Sequence, residues 1–183
     1  LGARARRAAL GAGAKVIRVY SYQLTESDVG EIGALKPDIL LLTGGTDGGN
    51  SANILQNAQM LAQTDGDFPI IIAGNRVAAP QCVRLLQDSA HETIVSENVM
   101  PVFNALNIGP VQDTIRKLFL RRIVRAKGLT HQQSLLNGIM MPTPSAVMRA
   151  LTLLADGPEG RRGLGDLVAV DLGGATTDVY SIA

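Results

Sequence analysis

Asp38-Ile39-Leu40-Leu41-Leu42-Thr43-Gly44-Gly45-Thr46-Asp47-Gly48-Gly49-Asn50-Ser51-Ala52-Asn53-Ile54-Leu55-Gln56-Asn57-Ala58-Gln59-Met60-Leu61-Ala62-Gln63 reads as a strand, a glycine-rich turn and a helix in that order. The aliphatic run Asp38–Thr43 is too short for a helix and suits a strand buried on both faces. Past the turn, Ile54, Ala58, Leu61 and Ala62 fall on one side of a helix over Ser51–Gln63. A strand that hands over to a helix in this way is the unit of a parallel α/β layer.

The same alternation extends outward from Lys15 to about Asn98. Val16–Tyr22, Pro69–Ala73 and Thr93–Ser96 are further strand candidates. Glu26–Leu35 behind a Thr25 cap, and Pro80–Gln87 with proline in its first turn, are the intervening helices. The expected fold class is therefore α/β, with a parallel Rossmann-like layer over residues 1–100. In such a sheet the loops leaving strand carboxyl ends share one edge, where ligands bind. Those loops are Thr43–Asn50, Gly74-Asn75-Arg76 and Glu97-Asn98. Gly44, Gly45 and Thr46 are candidate contacts for an anion or a close partner at the helix N-terminus. The alternative is a glycine-rich turn in which Asn50 or Ser51 caps the helix, because the spacing matches neither a Walker loop nor a dinucleotide fingerprint.

Residues 101–160 read as a helical connecting region. Pro110–Lys127 is amphipathic, with Val111, Ile115, Leu118, Phe119, Ile123 and Ala126 on one side. Lys117, Arg121 and Arg125 form a basic stripe joined by Arg116 and Arg122. The stripe suits either an acidic partner or a solvated face whose late cations favour the helix C-terminus. Thr143 as a cap, Pro144 in the first turn and Gly157 as the stop delimit a second helix.

Composition excludes several classes. A net charge of +1 gives no general attraction to nucleic acid or anionic membrane. Aromatic residues make up 3% of the chain and none is Trp, so platforms for stacking bases are not expected. The apolar runs fall far short of the roughly 20 residues that span a bilayer, and no signal-peptide pattern opens the chain, so a cytoplasmic setting is expected. The lone Cys82 forms no internal disulfide and reads as an apolar filler in a helix. Cys82, His91 and His131 are not spaced as a metal cluster.

Residues 161–183 carry the clearest chemistry. Val168 and Val170 precede, and Val179 and Ile182 follow, the turn Asp171-Leu172-Gly173-Gly174-Ala175-Thr176-Thr177-Asp178, so the segment reads as a β-hairpin. Paired glycines let backbone N–H groups converge on an anion, which makes Gly173 and Gly174 the candidate phosphate contacts, with hydroxyl donors from Thr176 and Thr177. Asp171 and Asp178 would repel a bare phosphate, so they point to Mg²⁺ or a nucleophilic water between them and the ligand.

This Asp-Leu-Gly-Gly-Ala-Thr-Thr-Asp run resembles the second phosphate motif of the actin, sugar-kinase and heat-shock-chaperone ATPase superfamily, and Met141–Gly157 looks like the helix that precedes it there. The resemblance implies ATP and Mg²⁺ as cofactors. It implies that Asp171 orients the attacking water or the metal shell, that Gly173 and Gly174 hold phosphates together with Thr176, and that Asp178 lies near the metal. Ala175 stands where many members have a third glycine. Those ATPases have two lobes with a phosphate hairpin in each and a later adenosine-binding segment. Only one hairpin is present here, so the resemblance implies a piece of a longer ATPase that holds half a nucleotide site. Asp38–Asn50, Pro69–Asn75 and Val170–Asp178, in this order, further resemble the MutL-type reactivating components of adenosylcobalamin-dependent glutamate mutase. This second resemblance implies an ATP-dependent, chaperone-like factor whose partners are the cobalamin-dependent mutase subunits. The competing expectations are a non-catalytic interaction module and a sugar or acid kinase of the same superfamily.

Overall fold

The computed structural model describes residues 2–12, 14–126, 143–173 and 177–182. The chain forms two compact units, Leu1–Ile123 and Val124–Ala183.

The first unit contains α1 (Gly2–Gly11), α2 (Glu26–Leu35), β1 (Leu40–Leu42), α3 (Ala52–Leu61), β2 (Ile70–Ile72), α4 (Ala79–Leu86), β3 (Thr93–Val95) and α5 (Gly109–Ala126), whose last turn passes the unit boundary. The three strands pair in the order β1-β2-β3, all parallel, with Leu40, Ile70 and Thr93 in register. Ile70, Ile71 and Ile72 of the central strand are fully buried, as a parallel strand covered on both faces requires. Ile70 and Ile72 point into a core with Leu42, Ile32, Ile54, Ala58, Leu61, Cys82 and Leu86. Ile71 points the other way, against Ala8, Ala12, Val111, Ile115 and Leu118 of α1 and α5. The result is a three-layer α/β/α arrangement, as the alternation of strands and helices predicts.

α2 begins where Thr25 predicts. The Thr25 hydroxyl accepts from the Asp28 N–H at 3.3 Å, and Asp28 Oδ2 accepts from the Thr25 N–H at 2.8 Å, a reciprocal capping box. In α3 the expected Ile54, Ala58 and Leu61 are buried while Ala62, just past the helix, is half-buried. α5 buries Val111, Ile115 and Leu118 but leaves Phe119 exposed.

Two readings are corrected. Residues 16–22 form no strand: Ile17 and Val19 are exposed, and no ladder runs along the segment. Alternating side chains favour a strand only where a neighbour supplies hydrogen bonds. Here the end of the segment is held by a side chain instead. Asn57 of α3 donates to the Tyr22 carbonyl at 2.9 Å and accepts from the Leu24 N–H at 2.8 Å. The second correction is α1, where the sequence suggested no element. Its buried face consists of alanines, which favour helix without forming a conspicuous apolar stripe.

The second unit comprises α6 (Thr143–Asp156), β4 (Leu167–Leu172) and β5 (Thr177–Ile182). Pro144 lies in the first turn of α6, and Gly157 ends the helix at φ +86°, where a Cβ would meet the Arg161 carbonyl and the Gly163 N–H. The chain then doubles back. Leu164, Gly165 and Gly163 donate to the carbonyls of Leu154, Ala155 and Asp156, which would otherwise be orphaned at the helix end. β4 and β5 pair antiparallel and α6 packs against both. No helix among the described residues is long and apolar enough to cross a membrane.

Candidate functional site

At the carboxyl edge of the parallel sheet the three expected loops are bonded into one body by two asparagines. The Ala73 N–H donates to Leu42 O and the Asn75 N–H to Gly44 O, so the first two loops leave the sheet together. Asn75, 1% exposed, then spends its whole amide. Its Oδ1 accepts from Gly48 N–H and Val77 N–H at 3.1 and 3.0 Å, and its Nδ2 donates to the carbonyls of Gly49 and Asn50. Asn98, 3% exposed, donates to the Gly45 carbonyl and to Asp47 Oδ1, and accepts from the Met100 N–H. Asp47 Oδ1 also accepts from the Arg76 N–H. Gly45 sits at φ +69°, and a Cβ there would meet the Asn50 carbonyl.

This arrangement fixes what the loop can offer a ligand. The N–H groups of Asp47, Gly48 and Gly49 are spent on Pro101 O, Asn75 Oδ1 and Thr46 O. A carboxylate, Asp47, lies inside the loop as well. Gly44 is buried, and Gly45 and Thr46 are half-buried within this network. Ser51 stands at the α3 N-cap without a side-chain capping bond, and Asn50 contributes its backbone carbonyl to Asn75. The rigidity of the loop thus comes from Asn75 and Asn98, whose part no local pattern in the sequence reveals.

The hairpin sets two of the residues that its sequence singled out across from each other. Asp171 and Asp178 are direct cross-strand partners, and Leu172 pairs with Thr177, so both carboxylates flank the mouth of the connection 173–176. Gly173 and Thr177 are exposed at that mouth, while Gly174, Ala175 and Thr176 lie outside the described residues. The strand period places Leu167, Ala169, Asp171, Asp178, Tyr180 and Ile182 on one face. Val168, Val170, Leu172 and Val179 lie on the other face and are exposed. Val179 and Ile182 therefore do not share a face, since an odd separation along a strand reverses the side chain's direction.

Like charges set directly across two strands are unfavourable. A divalent cation between them relieves the repulsion, and oxygen ligands of this kind suit Mg²⁺. The donor set therefore fits the implied cation through Asp171 and Asp178. Tyr180, two residues beyond Asp178, is 6% exposed. Burial, and then the charges of Asp178 and Asp171, raise its phenol above the ordinary tyrosine range. Tyr180 escaped notice in the sequence, although the period of two from Asp178 puts it on the carboxylate face.

Cys82 is fully buried, and burial pushes its thiol up to about 11. The ring nitrogens of His91 lie 3.0 Å from the Phe68 carbonyl and 3.2 Å from the Thr64 carbonyl. Within the basic stripe, Arg121 pairs with Glu92 and Arg116 with Asp113. Exposed pairs of this kind contribute about 0–1 kcal/mol. The side chains of Arg122 and Arg125 lie outside the described residues. A groove between α3 and α4, lined by Leu55, Met60, Leu85, Gln56, Gln59, Gln63 and Gln81, contains none of the candidate residues. No cluster of His, Cys, Asp and Glu able to hold a metal by itself occurs among the described residues.

No solved structure matches the chain. A family model described as MutL protein matches residues 2–183. Protein MutL of Clostridium tetanomorphum is 49% identical over 179 residues, which cover 98% of this chain and 39% of that relative. The chain thus spans less than half the length of this curated relative. With the match running from one end of the α/β unit to the hairpin, the chain belongs to the MutL protein family.

Proposed function

We propose that the chain is part of an ATP-dependent, chaperone-like factor that reactivates a cobalamin-dependent mutase of the glutamate mutase type in the cytoplasm. Membership of the MutL family supports the partner. The observation that carries the nucleotide reading is the Asp171–Asp178 register at the mouth of the glycine-rich connection. In this reading Asp171 and Asp178 hold Mg²⁺, and Asp171 also orients the attacking water. Gly173, Gly174, Ala175, Thr176 and Thr177 line the phosphates. Bound Mg²⁺ supplies charge neutralisation for the β- and γ-phosphates. The hairpin, as the start of a second ATPase lobe, gives half of the nucleotide grip, and the other lobe of a longer protein gives the rest. Contacts to the γ-phosphate favour one lobe arrangement, and their loss on hydrolysis shifts the mutase toward release of its damaged cofactor.

The loop at Gly44, Gly45 and Thr46 favours a different use. Asn75 and Asn98 hold its Gly48 N–H and the carbonyls of Gly45 and Gly49, a rigidity that suits a preformed contact for a protein partner. A non-catalytic interaction module is the second reading that this observation supports.

Hydrolysis of Mg²⁺-ATP by the full-length protein, beside an Asp171→Asn variant, tests the proposal. Turnover falls by about two orders of magnitude or more in the variant if Asp171 acts on the attacking water. Unchanged turnover removes that role. Neither hydrolysis nor nucleotide binding in the unmutated protein leaves the interaction module, and a phosphorylated small-molecule product would identify a kinase.

A further inference from the structure

The Tyr180 hydroxyl stands out on the carboxylate face of the hairpin. Tyr180 pairs with Ala169 across the hairpin, with Asp178 two residues before it on the same strand and Asp171 diagonally opposite. The side chain is 6% exposed, and among the described residues its hydroxyl oxygen, shielded from solvent, has no hydrogen-bond partner. Leaving a buried hydroxyl unpaired is destabilising. Buried tyrosines normally find a partner, and an exception calls for an ion, a water or a role in chemistry. Packing does not account for it, because phenylalanine would fill the same space without that cost. Both carboxylates share its face of the hairpin, yet neither is hydrogen-bonded to it. A small polar group that interacts with the phenol oxygen and with both aspartates satisfies all of these facts. Water bound to a divalent cation is such a group, since the cation sharpens its protons as donors.

We propose that Tyr180 is a positioning residue of the Asp171–Asp178 cation site, its phenol oxygen accepting a hydrogen bond from a water in the shell of the bound divalent cation. The inference rests on the cation reading of the aspartate pair and adds to it a group outside the coordination sphere. Partners of this kind orient a metal's ligands, and their loss weakens metal affinity by about tenfold or more. Tyr180 takes no part in proton transfer.

The test is Mn²⁺ affinity in the presence of ATP, read from the spin-resonance signal of free Mn²⁺, for the full-length protein and its Tyr180→Phe and Asp171→Asn variants. Unmutated protein binds Mn²⁺, Asp171→Asn binds it at least about tenfold more weakly, and Tyr180→Phe about tenfold more weakly. Without divalent cation, Tyr180→Phe unfolds no earlier than the unmutated protein, because it keeps the ring and loses an unpaired hydroxyl. Wild-type Mn²⁺ affinity in Tyr180→Phe overturns the role of Tyr180 and leaves the cation site standing. Absence of Mn²⁺ binding in the unmutated protein, or equal binding in Asp171→Asn, overturns the cation site and this inference with it. A second readout needs no variant. With ATP present, Mg²⁺ moves the Cζ carbon resonance of Tyr180, and a resonance that stays still overturns the proposal.

Discussion

Asn75 shows how much of a surface loop can depend on one buried amide. Its side chain serves two N–H donors and two carbonyl acceptors, so truncation to alanine orphans several backbone groups at once. Asn75→Ala is expected to cost about 3 kcal/mol by urea denaturation, with hydrogen exchange accelerated at the amides of Gly48 and Val77. At this scale the sequence was only partly legible. The glycines at 44, 45, 48 and 49 marked a special turn, because glycine advertises its backbone freedom wherever it stands. Asn75 and Asn98 carried no such mark. An asparagine in a loop looks the same whether it faces solvent or binds four backbone groups, and only the assembled sheet edge decides which. Asp171 and Asp178 were legible because the hairpin that pairs them is local, so register follows from the short connection between them.

Secondary-structure elements were readable where a local signal fixed them. Thr25 and Asp28 close a capping box within four residues, and α2 starts there. Thr25→Ala is expected to destabilise the α/β unit by about 1 kcal/mol at neutral pH in thermal or urea unfolding. The effect depends on pH. The Thr25 backbone N–H, and then its hydroxyl, hold the Asp28 carboxyl below its ordinary value. A carboxyl lowered in the folded state stabilises it fully above the unfolded group's range, and that contribution disappears as pH falls through the lowered folded value. The gap between Thr25→Ala and the unmutated protein should therefore narrow in acid, and a gap independent of pH would exclude a contribution from the bond between the Thr25 hydroxyl and the charged carboxylate, since the variant keeps the backbone N–H bond. Residues 16–22 failed as a strand for the opposite reason. Their alternation was a local signal without a partner, and the amide of Asn57, far along the chain, took the backbone groups of Tyr22 and Leu24.

On the scale of the molecule, β2 is the point where both halves of the α/β core meet. Ile70 and Ile72 belong to one cluster and Ile71 to the other, so consecutive residues bind opposite helix layers to one strand. Ile71→Ala leaves a cavity beneath α1 and α5, and a loss of about 3–4 kcal/mol is expected in equilibrium unfolding. The class of this fold was legible because buried parallel strands are continuous aliphatic runs. The helix layer formed by α1 was not, because alanine packs closely while looking featureless. Cys82, at the centre of the other cluster, gives the molecule a built-in clock. It is the single thiol of the chain, fully enclosed, and its burial disfavours the thiolate that reacts. A disulfide reagent added to the native protein should therefore label it only as fast as the α/β unit opens, and Ile71→Ala should speed that labelling. One sulfur atom would report, molecule by molecule, how long the folded state survives.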